Sequence, residues 1–384
     1  MRIVMTLPWG ERLGGAEEQL QIVLEGAHES GHEIELVFFQ PGRWPAELGD
    51  MGFRVEVLPA GRFREVHRWP GTVARLARIF RERQPDLIVN WSAKTQLYGS
   101  PAAMLSGMTD RAVWWQQAIP GRYLWLDRLA TMLPSIAVGC NSKAAARAQE
   151  QLWPSRKLIV WYAGTRIPPA RASRPPLELP VGRPIVGLVG RLQPWKGQDR
   201  LLRAQVILRE RGHDMHLVLV GGDSYGLSPE YAGSLPKLTR ELGLEGAVTM
   251  TGEVADAGPY VEQLDILVNA SDPEPFGNVL VEAMARSVAV VGVNSGGPSE
   301  YIRHGETGML ARSGEPGDLA DALEPLLVSA SFRHDVAEAG RKLFLEEFTE
   351  TAMRNRFFGS LETVAREKPR PRRTTRPSGS TAAS

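Results

Sequence analysis

Two glutamates eight positions apart, Glu274 and Glu282, are the clearest candidates for chemistry in this sequence. Glu274 lies in the proline-flanked turn DPEPFGN, and Glu282 lies about one turn into a helix that Gly277 and Asn278 are expected to open. Ionised carboxylates accept several strong hydrogen bonds, which suits sugar hydroxyls, and a helix N-terminus between them suits a phosphate. Glu282 could instead be a solvated helix residue, but its apolar neighbours indicate a buried helix in which a carboxylate needs a polar partner.

Two glycine-containing turns are candidate anion sites, because each follows an expected strand and precedes an expected helix. The first is Gly10–Gly15, and the second, Gly190–Gly197, also carries Arg191 and Lys196. Glycine lets backbone N–H groups approach a phosphate, and the following helix N-terminus adds partial positive charge. The glycines of the first turn are equally typical of a plain tight turn, whereas two cations in one short loop favour phosphate binding.

The elements that position these residues alternate between β-branched strands and helices, which predicts an α/β fold with parallel sheets. A proline-rich stretch, Ile167–Pro184, separates two such series and predicts a stiff linker. Ligands of parallel sheets sit beyond the carboxyl ends of the strands, so we expect two doubly wound, Rossmann-like domains that face each other across a central cleft. The expected strands are Ile3–Leu7, Ile34–Phe39, Val55–Leu58, Leu87–Asn90, Val113–Trp115, Ile136–Cys140 and Leu158–Trp161, then Ile185–Val189, Leu217–Val220, Val248–Thr251, Ile266–Val268 and Ala289–Val293.

The composition agrees with two domains and excludes several classes of protein. A chain of 384 residues exceeds the usual size of one core, and a single cysteine, Cys140, excludes an intrachain disulfide and a cysteine-based metal site. The apolar run at the N-terminus ends at Pro8, so neither a signal peptide nor a membrane span is expected, which favours a cytoplasmic protein. The tail, 368–384, carries five basic residues and no acid, so the rest of the chain is slightly acidic and no nucleic-acid partner is expected.

Several ordered motifs together resemble the retaining glycosyltransferases of family 4, among the glycosyl transferases group 1, which have the GT-B fold. The resemblance covers roughly residues 1–365. The motifs are Gly14-Gly15-Ala16-Glu17, Gly190-Arg191-Leu192 with Lys196-Gly197, the Glu274/Glu282 pair, Ser295-Gly296-Gly297 with Glu300, and Gly305-x-Thr307-Gly308. The domains then expected are an N-terminal acceptor-side domain at 1–166, the linker at 167–184, a donor domain at 185–344, a terminal helix at 345–365 that crosses back onto the first domain, and a disordered tail at 368–384.

The resemblance implies a nucleotide diphosphate sugar as donor, with a UDP-sugar favoured, and transfer of a hexosyl group with retention of configuration. It places Arg191 and Lys196 on the diphosphate, Glu282 on the ribose and Glu274 on the transferred sugar, so that Glu274, Arg191 and Lys196 are the implied catalytic residues. It implies no obligatory metal and no cofactor, and the absence of an Asp-x-Asp tripeptide agrees. The implied donor site further includes Gly14, Gly15, Gly252, Val254, Phe276, Gly277, Asn278, Val279 and Leu280, with the base near 252–254.

The acceptor side is less defined by the sequence, and a small molecule, a glycan or a lipid-linked hydroxyl all remain open as acceptor. Trp9 and Trp195 are candidates because aromatic faces stack on sugar rings. Many relatives carry a histidine after the strand matching Val113–Trp115, but this chain has Gln116 and Gln117, whose amides can position a hydroxyl and cannot take its proton.

Two other functions compete with the glycosyltransferase: a nucleotide-sugar epimerase of the same fold and a catalytically silent sugar-binding homologue. A dehydrogenase is disfavoured because no G-x-G-x-x-G follows a strand. Residues 62–83 hold seven arginines against two glutamates, which indicates either weak contact with an anionic membrane surface or an ordinary crossover helix with solvated charges.

Overall fold

The computed structural model describes residues 1–12, 14–61, 65–121, 124–168, 177–223 and 226–367, and its strands form two parallel sheets. The first sheet contains β1 (Arg2–Leu7), β2 (Glu33–Phe38), β3 (Arg54–Val57), β4 (Leu87–Asn90), β5 (Ala112–Gln116), β6 (Ala137–Cys140) and β7 (Leu158–Val160). The strands lie in the order β3-β2-β1-β4-β5-β6-β7. Successive strands are added toward one edge of the sheet from β1 to β3 and toward the other edge from β4 to β7, and this change leaves a crevice at the carboxyl ends of β1 and β4.

Helices cover both faces of this sheet, which is why its central strands are continuously apolar. They are α1 (Gly15–Glu29), α2 (Arg43–Asp50), α3 (Trp69–Arg83), α4 (Ala93–Leu105), α5 (Leu124–Met132) and α6 (Lys143–Glu150). In α1 the buried side chains Leu20, Val23, Leu24 and Ala27 recur at helical spacing and pack on the sheet.

The second sheet contains β8 (Ile185–Val189), β9 (His216–Val220), β10 (Val248–Met250), β11 (Ile266–Val268), β12 (Ala289–Val293) and β13 (Met309–Ala311), in the order β10-β9-β8-β11-β12-β13. Its helices are α7 (Gln198–Glu210), α8 (Pro229–Glu241), α9 (Gly258–Val261), α10 (Asn278–Met284), α11 (Pro298–Tyr301), α12 (Pro316–Val328) and α13 (Ala330–Glu347). The predicted α/β class and the pair of doubly wound sheets are confirmed. Strand β13 was not predicted.

The terminal helix differs from its predicted range of 345–365. Helix α14 runs from Glu350 to Arg366, because α13 continues to Glu347 and the Thr349 side chain then accepts a hydrogen bond from the backbone N–H of Ala352 at 3.2 Å. Its apolar face joins the core cluster of the first sheet and α1 through Phe357, Phe358 and Leu361. The chain therefore crosses back onto the N-terminal domain.

Two predicted segments lie partly or wholly outside the described residues: positions 169–176 of the linker and the tail at 368–384. At the linker's end, Leu177 is tied to the second domain, because its backbone N–H and carbonyl both bond to the Gln263 side chain, at 3.1 and 2.8 Å. None of the described helices is long and apolar enough to cross a membrane.

Candidate active site

A cavity of about 470 Å³ lies between the carboxyl edges of the two sheets. The turn before α1 contributes Gly14 and Gly15, and the turn after β8 contributes Gly190 and Arg191. The remaining lining residues are Arg12, Glu18, Val189, Val220, Gly221, Gly222, Glu253, Val254, Ala255, Ala257, Val279 and Glu282. The cavity thus combines exposed backbone at the start of a 15-residue helix with a guanidinium and a carboxylate, which suits a ligand that carries phosphate and hydroxyl groups.

The two domains approach each other closely beside this cavity. A Cβ atom placed on Gly15 would lie 2.5 Å from Nδ2 of Asn278, so the Asn278 side chain of the second domain rests against the Gly15 backbone of the first. Gly14 has φ of 157° and Gly277, at the start of α10, has φ of 90°. Glycine at 15 therefore keeps the interdomain gap narrow, and the predicted donor residues Gly14, Gly15 and Asn278 do come together.

Arg12 and Glu18 line the cavity but were not singled out from the sequence. Their side chains form an ion pair at 3.4 Å, and Glu18 also pairs with Arg166. The only available signal was the position of Arg12 inside the glycine turn, where a cation two residues before a helix-opening glycine can face an anion. Arg12 adds a second cation to the cavity wall beside Arg191.

Glu282 projects from α10 into the cavity and is partly buried. Burial raises the pKa of the Glu282 carboxyl, the Arg286 charge opposes that rise, and the carboxylates of Glu18 and Asp256 add to it. A carboxylate whose charged form is disfavoured by burial gains from any ligand hydroxyl that donates a hydrogen bond to it. Its position thus agrees with the predicted contact to ribose.

Glu274 is buried and forms an ion pair with Lys196, with 3.0 Å between Oε2 and Nζ. Nδ2 of Asn269 donates to the same oxygen at 3.2 Å. Burial alone would raise the pKa of Glu274, but the Lys196 charge and these hydrogen bonds lower it below its usual range. Lys196 is not among the residues that line the 470 Å³ cavity, so its ammonium group is directed at Glu274 while Arg191 faces the cavity.

The Ser295-Gly296-Gly297 motif packs against the backbone of the loop that carries Glu274. A Cβ atom on Gly296 would lie 2.0 Å from the Glu274 carbonyl oxygen, and one on Gly297 would lie 2.5 Å from Cα of Phe276. The Gly297 N–H donates to the same Glu274 carbonyl at 2.8 Å. Only glycine permits this backbone approach, and Gly296 also needs its φ of 68°.

The side chains of two predicted donor residues, Phe276 and Leu280, lie in the core of the second domain, so the predicted donor contact at Leu280 would come from its backbone N–H. Phe276 is 2% exposed and packs among the rings of Tyr162, Tyr301 and Phe348, with ring centres 5.4–5.9 Å apart. The side chain of Leu280 is fully buried in the same apolar cluster. Leu280 is a core residue because α10 buries one face against its own domain, and Phe276, in the loop before α10, packs in the same cluster.

The 252–254 segment, where the base is predicted, reaches the cavity only in part. Glu253 and Val254 line the cavity, and Gly252 lies just outside its lining with a φ of 72°. Val279 also lines it, whereas Gly277 is buried at the start of α10.

Glu300 is the last residue of the Ser295-Gly296-Gly297 and Glu300 motif, and it connects the two domains. Its side chain is 5% exposed and accepts hydrogen bonds from the backbone N–H groups of Lys143 at 2.8 Å and Ala144 at 2.5 Å, at the start of α6. The hydroxyl of Tyr162 donates to it at 3.0 Å. A carboxylate from the donor domain thus caps a helix of the other domain, where the helix dipole favours negative charge.

A second cavity of about 570 Å³ opens between the domains next to Glu274. Ala118, Ile119, Pro120 and Gly121 line it from the first domain. Trp195, Asp272, Pro273 and Pro275 line it from the second. Of the predicted acceptor-side residues, Trp195 lies here, and its ring contacts Lys196, with Nζ 4.0 Å from the ring centre.

The other acceptor-side candidates have different surroundings. Gln116 is buried, its side-chain amide donates to Asp127 at 3.0 Å, and it is not among the residues that line the second cavity, so its acceptor role stays a prediction. Gln117 donates to the Trp91 carbonyl at 3.3 Å. Trp9 is 37% exposed after β1, and Nζ of Lys94 lies 5.2 Å from its ring centre.

Within the described parts of the chain, no group of three or more histidine, cysteine, aspartate or glutamate side chains is arranged to hold a metal ion. The expectation that no metal is obligatory stays a prediction.

Comparisons with known proteins bear on this arrangement. Residues 170–343 match the family model described as "Glycosyl transferases group 1". The lipopolysaccharide core biosynthesis glycosyltransferase LpsE of Rhizobium meliloti (strain 1021) is 26% identical over 352 residues, which cover 88% of this chain and 93% of that protein. The GDP-mannose-dependent alpha-(1-6)-phosphatidylinositol monomannoside mannosyltransferase of Mycobacterium tuberculosis (strain ATCC 25618 / H37Rv) is 35% identical over 169 residues, which cover 42% of each chain.

Among solved structures, that of Anabaena Alr3699/HepE in complex with UDP-glucose has a TM-score of 0.80 to this chain at 24% sequence identity. The match covers 94% of this chain and 100% of the other. The two proteins therefore share both domains and their fold.

Proposed function

We propose that this chain, which matches the group 1 glycosyltransferases over residues 170–343 and has the GT-B fold, is a retaining, family 4 enzyme that moves a hexosyl group from a UDP-sugar to a hydroxyl acceptor. The observation that carries the proposal is the 470 Å³ cavity, because it joins Gly15, Arg191 and Glu282 from three distant segments. Backbone donors, a guanidinium and a carboxylate are the groups that a nucleoside diphosphate needs.

In this proposal Arg191 and the first backbone N–H groups of α1 bind the donor diphosphate. The bond that breaks leaves negative charge on the diphosphate, so cations already fixed in a narrow cleft lower the barrier more than they would in water. Lys196 is held beside Glu274 and can turn from that carboxylate toward a phosphate, because its long side chain has several rotatable bonds. With these charges in place, the reaction is proposed to need neither a metal nor a cofactor.

The remaining donor groups are assigned by position. Glu282 accepts the ribose hydroxyls, the backbone at Val254 borders the base, and Glu274 accepts hydroxyls of the transferred sugar between the two cavities. UDP is favoured as the nucleotide by the UDP-glucose complex of the protein that shares this fold. The GDP-mannose-dependent relative makes GDP the principal competitor.

A thermal-shift screen against UDP, GDP, ADP and dTDP tests the donor site. A nucleotide at 100 times its Kd should stabilise the protein by about 2.7 kcal/mol, and we expect UDP to do so. Arg191→Ala should weaken UDP binding while leaving uridine binding unchanged, because only UDP carries the diphosphate. The matched control is Arg303→Ala, which removes an exposed arginine of the same domain, paired with Glu306. Equal loss of UDP and uridine binding in Arg191→Ala would contradict the assignment.

Product analysis by NMR with UDP-glucose separates the three candidate activities. Release or transfer of glucose with the α configuration of the donor supports a retaining transferase. A changed sugar still attached to UDP would indicate an epimerase. UDP binding with neither change, across hydroxyl acceptors, would indicate a sugar-binding homologue.

A further inference from the structure

An apolar groove of about 480 Å³ lies on the outer surface of α3, α4 and α5, away from the cavity that contains Arg191. Its lining includes Trp69 of α3, Leu97 and Pro101 of α4, and Leu129 and Met132 of α5. The Trp69 indole N–H donates to the Leu97 carbonyl at 3.2 Å, which fixes the ring against α4. We call this the α4–α5 groove.

Large apolar side chains extend the groove along both helices at helical spacing. On α4, Met104 and Leu105 are 51% and 59% exposed, and on α5, Trp125, Leu129 and Met132 are 62%, 46% and 56% exposed. The buried faces of these helices use other residues, such as Ala102 and Ala130. The exposed stripes are therefore more apolar surface than the domain needs for its core, and contiguous patches of this kind mark interaction sites.

Exposed arginines lie on the helices that carry the groove and in the turn before α3. Arg81 donates to the Leu105 carbonyl at 3.2 Å, so its guanidinium lies at the apolar end of α4. Four more lie on or beside the same helices: Arg68, Arg75, Arg78 and Arg128. Among the acids in the described part of these segments, Glu65 is half-buried and pairs with Arg68, Glu82 is exposed and pairs with Arg78, and Asp127 is buried. Positive charge is thus in excess around an apolar patch.

We propose that the α4–α5 groove and its arginines rest on a bilayer that contains anionic lipids, and that the acceptor hydroxyl is presented from that bilayer. The second clause rests on the proposed glycosyltransferase function. Aromatic and long basic side chains suit the membrane interface, because the apolar stem enters the boundary while the charged end stays with the headgroups. A second copy of the chain fits the same face poorly, since a two-fold contact would bring the arginines of both copies together.

The location of the groove relative to the cleft supports presentation of the acceptor hydroxyl from the bilayer. Residues 118–121, which follow β5 and precede α5, line the 570 Å³ cavity beside Glu274. Trp125, on the exposed side of α5, lies four positions after Gly121. A bilayer against α5 would consequently lie next to the entrance through which an acceptor reaches the transferred sugar.

Vesicle cosedimentation tests the proposal with the full chain. We expect binding to mixed phosphatidylglycerol–phosphatidylcholine vesicles at low salt, at least tenfold weaker binding to pure phosphatidylcholine, and release at high salt, where charges are screened within a few ångströms. Each basic residue near an anionic surface contributes about a fivefold increase in affinity, so Arg75→Glu with Arg78→Glu should lower binding at least tenfold. Leu129→Glu with Met132→Glu should lower it as much.

Matched controls use the donor domain, where Val328 is 65% exposed, Leu345 46% and the Lys237 side chain 73%. Val328→Glu with Leu345→Glu, and separately Lys237→Glu, should leave vesicle binding unchanged. UDP-induced thermal stabilisation should persist in every variant, which also shows that each is folded. If the Leu129→Glu with Met132→Glu variant fails to fold, the Arg75→Glu with Arg78→Glu variant tests the membrane surface.

Each contrary outcome distinguishes failure of the membrane proposal from failure of the proposed donor site. Absence of wild-type binding to anionic vesicles at low salt, or equal loss in the control variants, overturns the membrane surface and leaves UDP binding untouched. Conversion of a dimer to a monomer by the groove pair in the absence of lipid would identify an interface between copies, which also overturns it. If the wild-type protein does not bind UDP, that result contradicts the proposed function and leaves the membrane surface standing.

Discussion

Replacing Glu300 by glutamine should loosen the contact between the two domains. The wild-type carboxylate accepts two backbone N–H groups at the start of α6 and the Tyr162 hydroxyl, all within 3.0 Å. A glutamine keeps one oxygen and places an NH2 group against the remaining donors. One N–H then loses its acceptor inside a buried contact, which costs about 1–3 kcal/mol. The negative charge at the helix start is also lost, which costs roughly 0.3–1 kcal/mol.

The combined effect is about 3 kcal/mol, which corresponds to a roughly 150-fold shift toward separated domains. Because the 470 Å³ cavity needs Gly14 and Gly15 from the first domain, separation should also weaken UDP binding. Small-angle X-ray scattering should show a larger radius of gyration for Glu300→Gln, and calorimetry a higher Kd for UDP.

Glu306→Gln is the matched control. Glu306 belongs to the same domain and pairs with Arg303 at 2.9 Å, but its side chain is 62% exposed. Exposed pairs contribute about 0–1 kcal/mol, so this variant should resemble the wild-type protein in both measurements. If Glu300→Gln were indistinguishable from Glu306→Gln, the reasoning that assigns Glu300 a role in holding the domains together would be refuted.

Three further predictions concern the donor site. Glu274→Gln should lower turnover roughly 100-fold, as loss of a preorganised charge does in other enzymes, and calorimetry should show UDP affinity nearly unchanged because UDP lacks the transferred sugar that Glu274 contacts. Affinity for UDP-glucose should fall as the pH is lowered through the raised pKa of Glu282, since the protonated carboxyl accepts weaker hydrogen bonds, and Glu282→Gln should abolish that pH dependence in titrations. The apoprotein should instead gain stability over the same fall in pH, because its folded state favours the neutral carboxyl. Gly296→Ala should cost roughly 2–3 kcal/mol in thermal unfolding and reduce turnover, because its Cβ would meet the Glu274 carbonyl at 2.0 Å, whereas Gly317→Ala, with open space around it, should do neither.

The order of elements could be predicted from the sequence because parallel strands with helices on both faces are apolar along their whole length. The runs at Ile3–Leu7 and Ile185–Val189 therefore indicate strands without any knowledge of their neighbours. The turns at Gly14-Gly15 and Gly190-Arg191 could be placed for a similar reason, since a glycine between a strand and a helix marks a βα turn at a sheet edge. These are short-range properties, and short stretches of sequence encode them.

The sequence was less informative where a side chain had two possible surroundings. Gln116 stands where many relatives carry a histidine, which suggested an acceptor contact, but its side-chain amide donates to the buried Asp127, eleven positions away. Phe276 follows Glu274 in a loop next to the cleft, yet its ring turns into an aromatic cluster that includes Phe348. A pattern of residue types does not specify which way a loop side chain turns, because that depends on the space left by elements far along the chain.

The sequence by itself determined the α/β class, the two parallel sheets, the glycine turns at their edges and the spacing of Glu274 and Glu282, because each follows from local periodicity and backbone preference. Only the tertiary structure decided which charges meet. Lys196 reaches Glu274 across 78 positions, and Glu300 reaches the start of α6 across more than 150. Such pairs depend on how two separately folded sheets come together, and their energies arise from distance and burial, which no spacing in the sequence records.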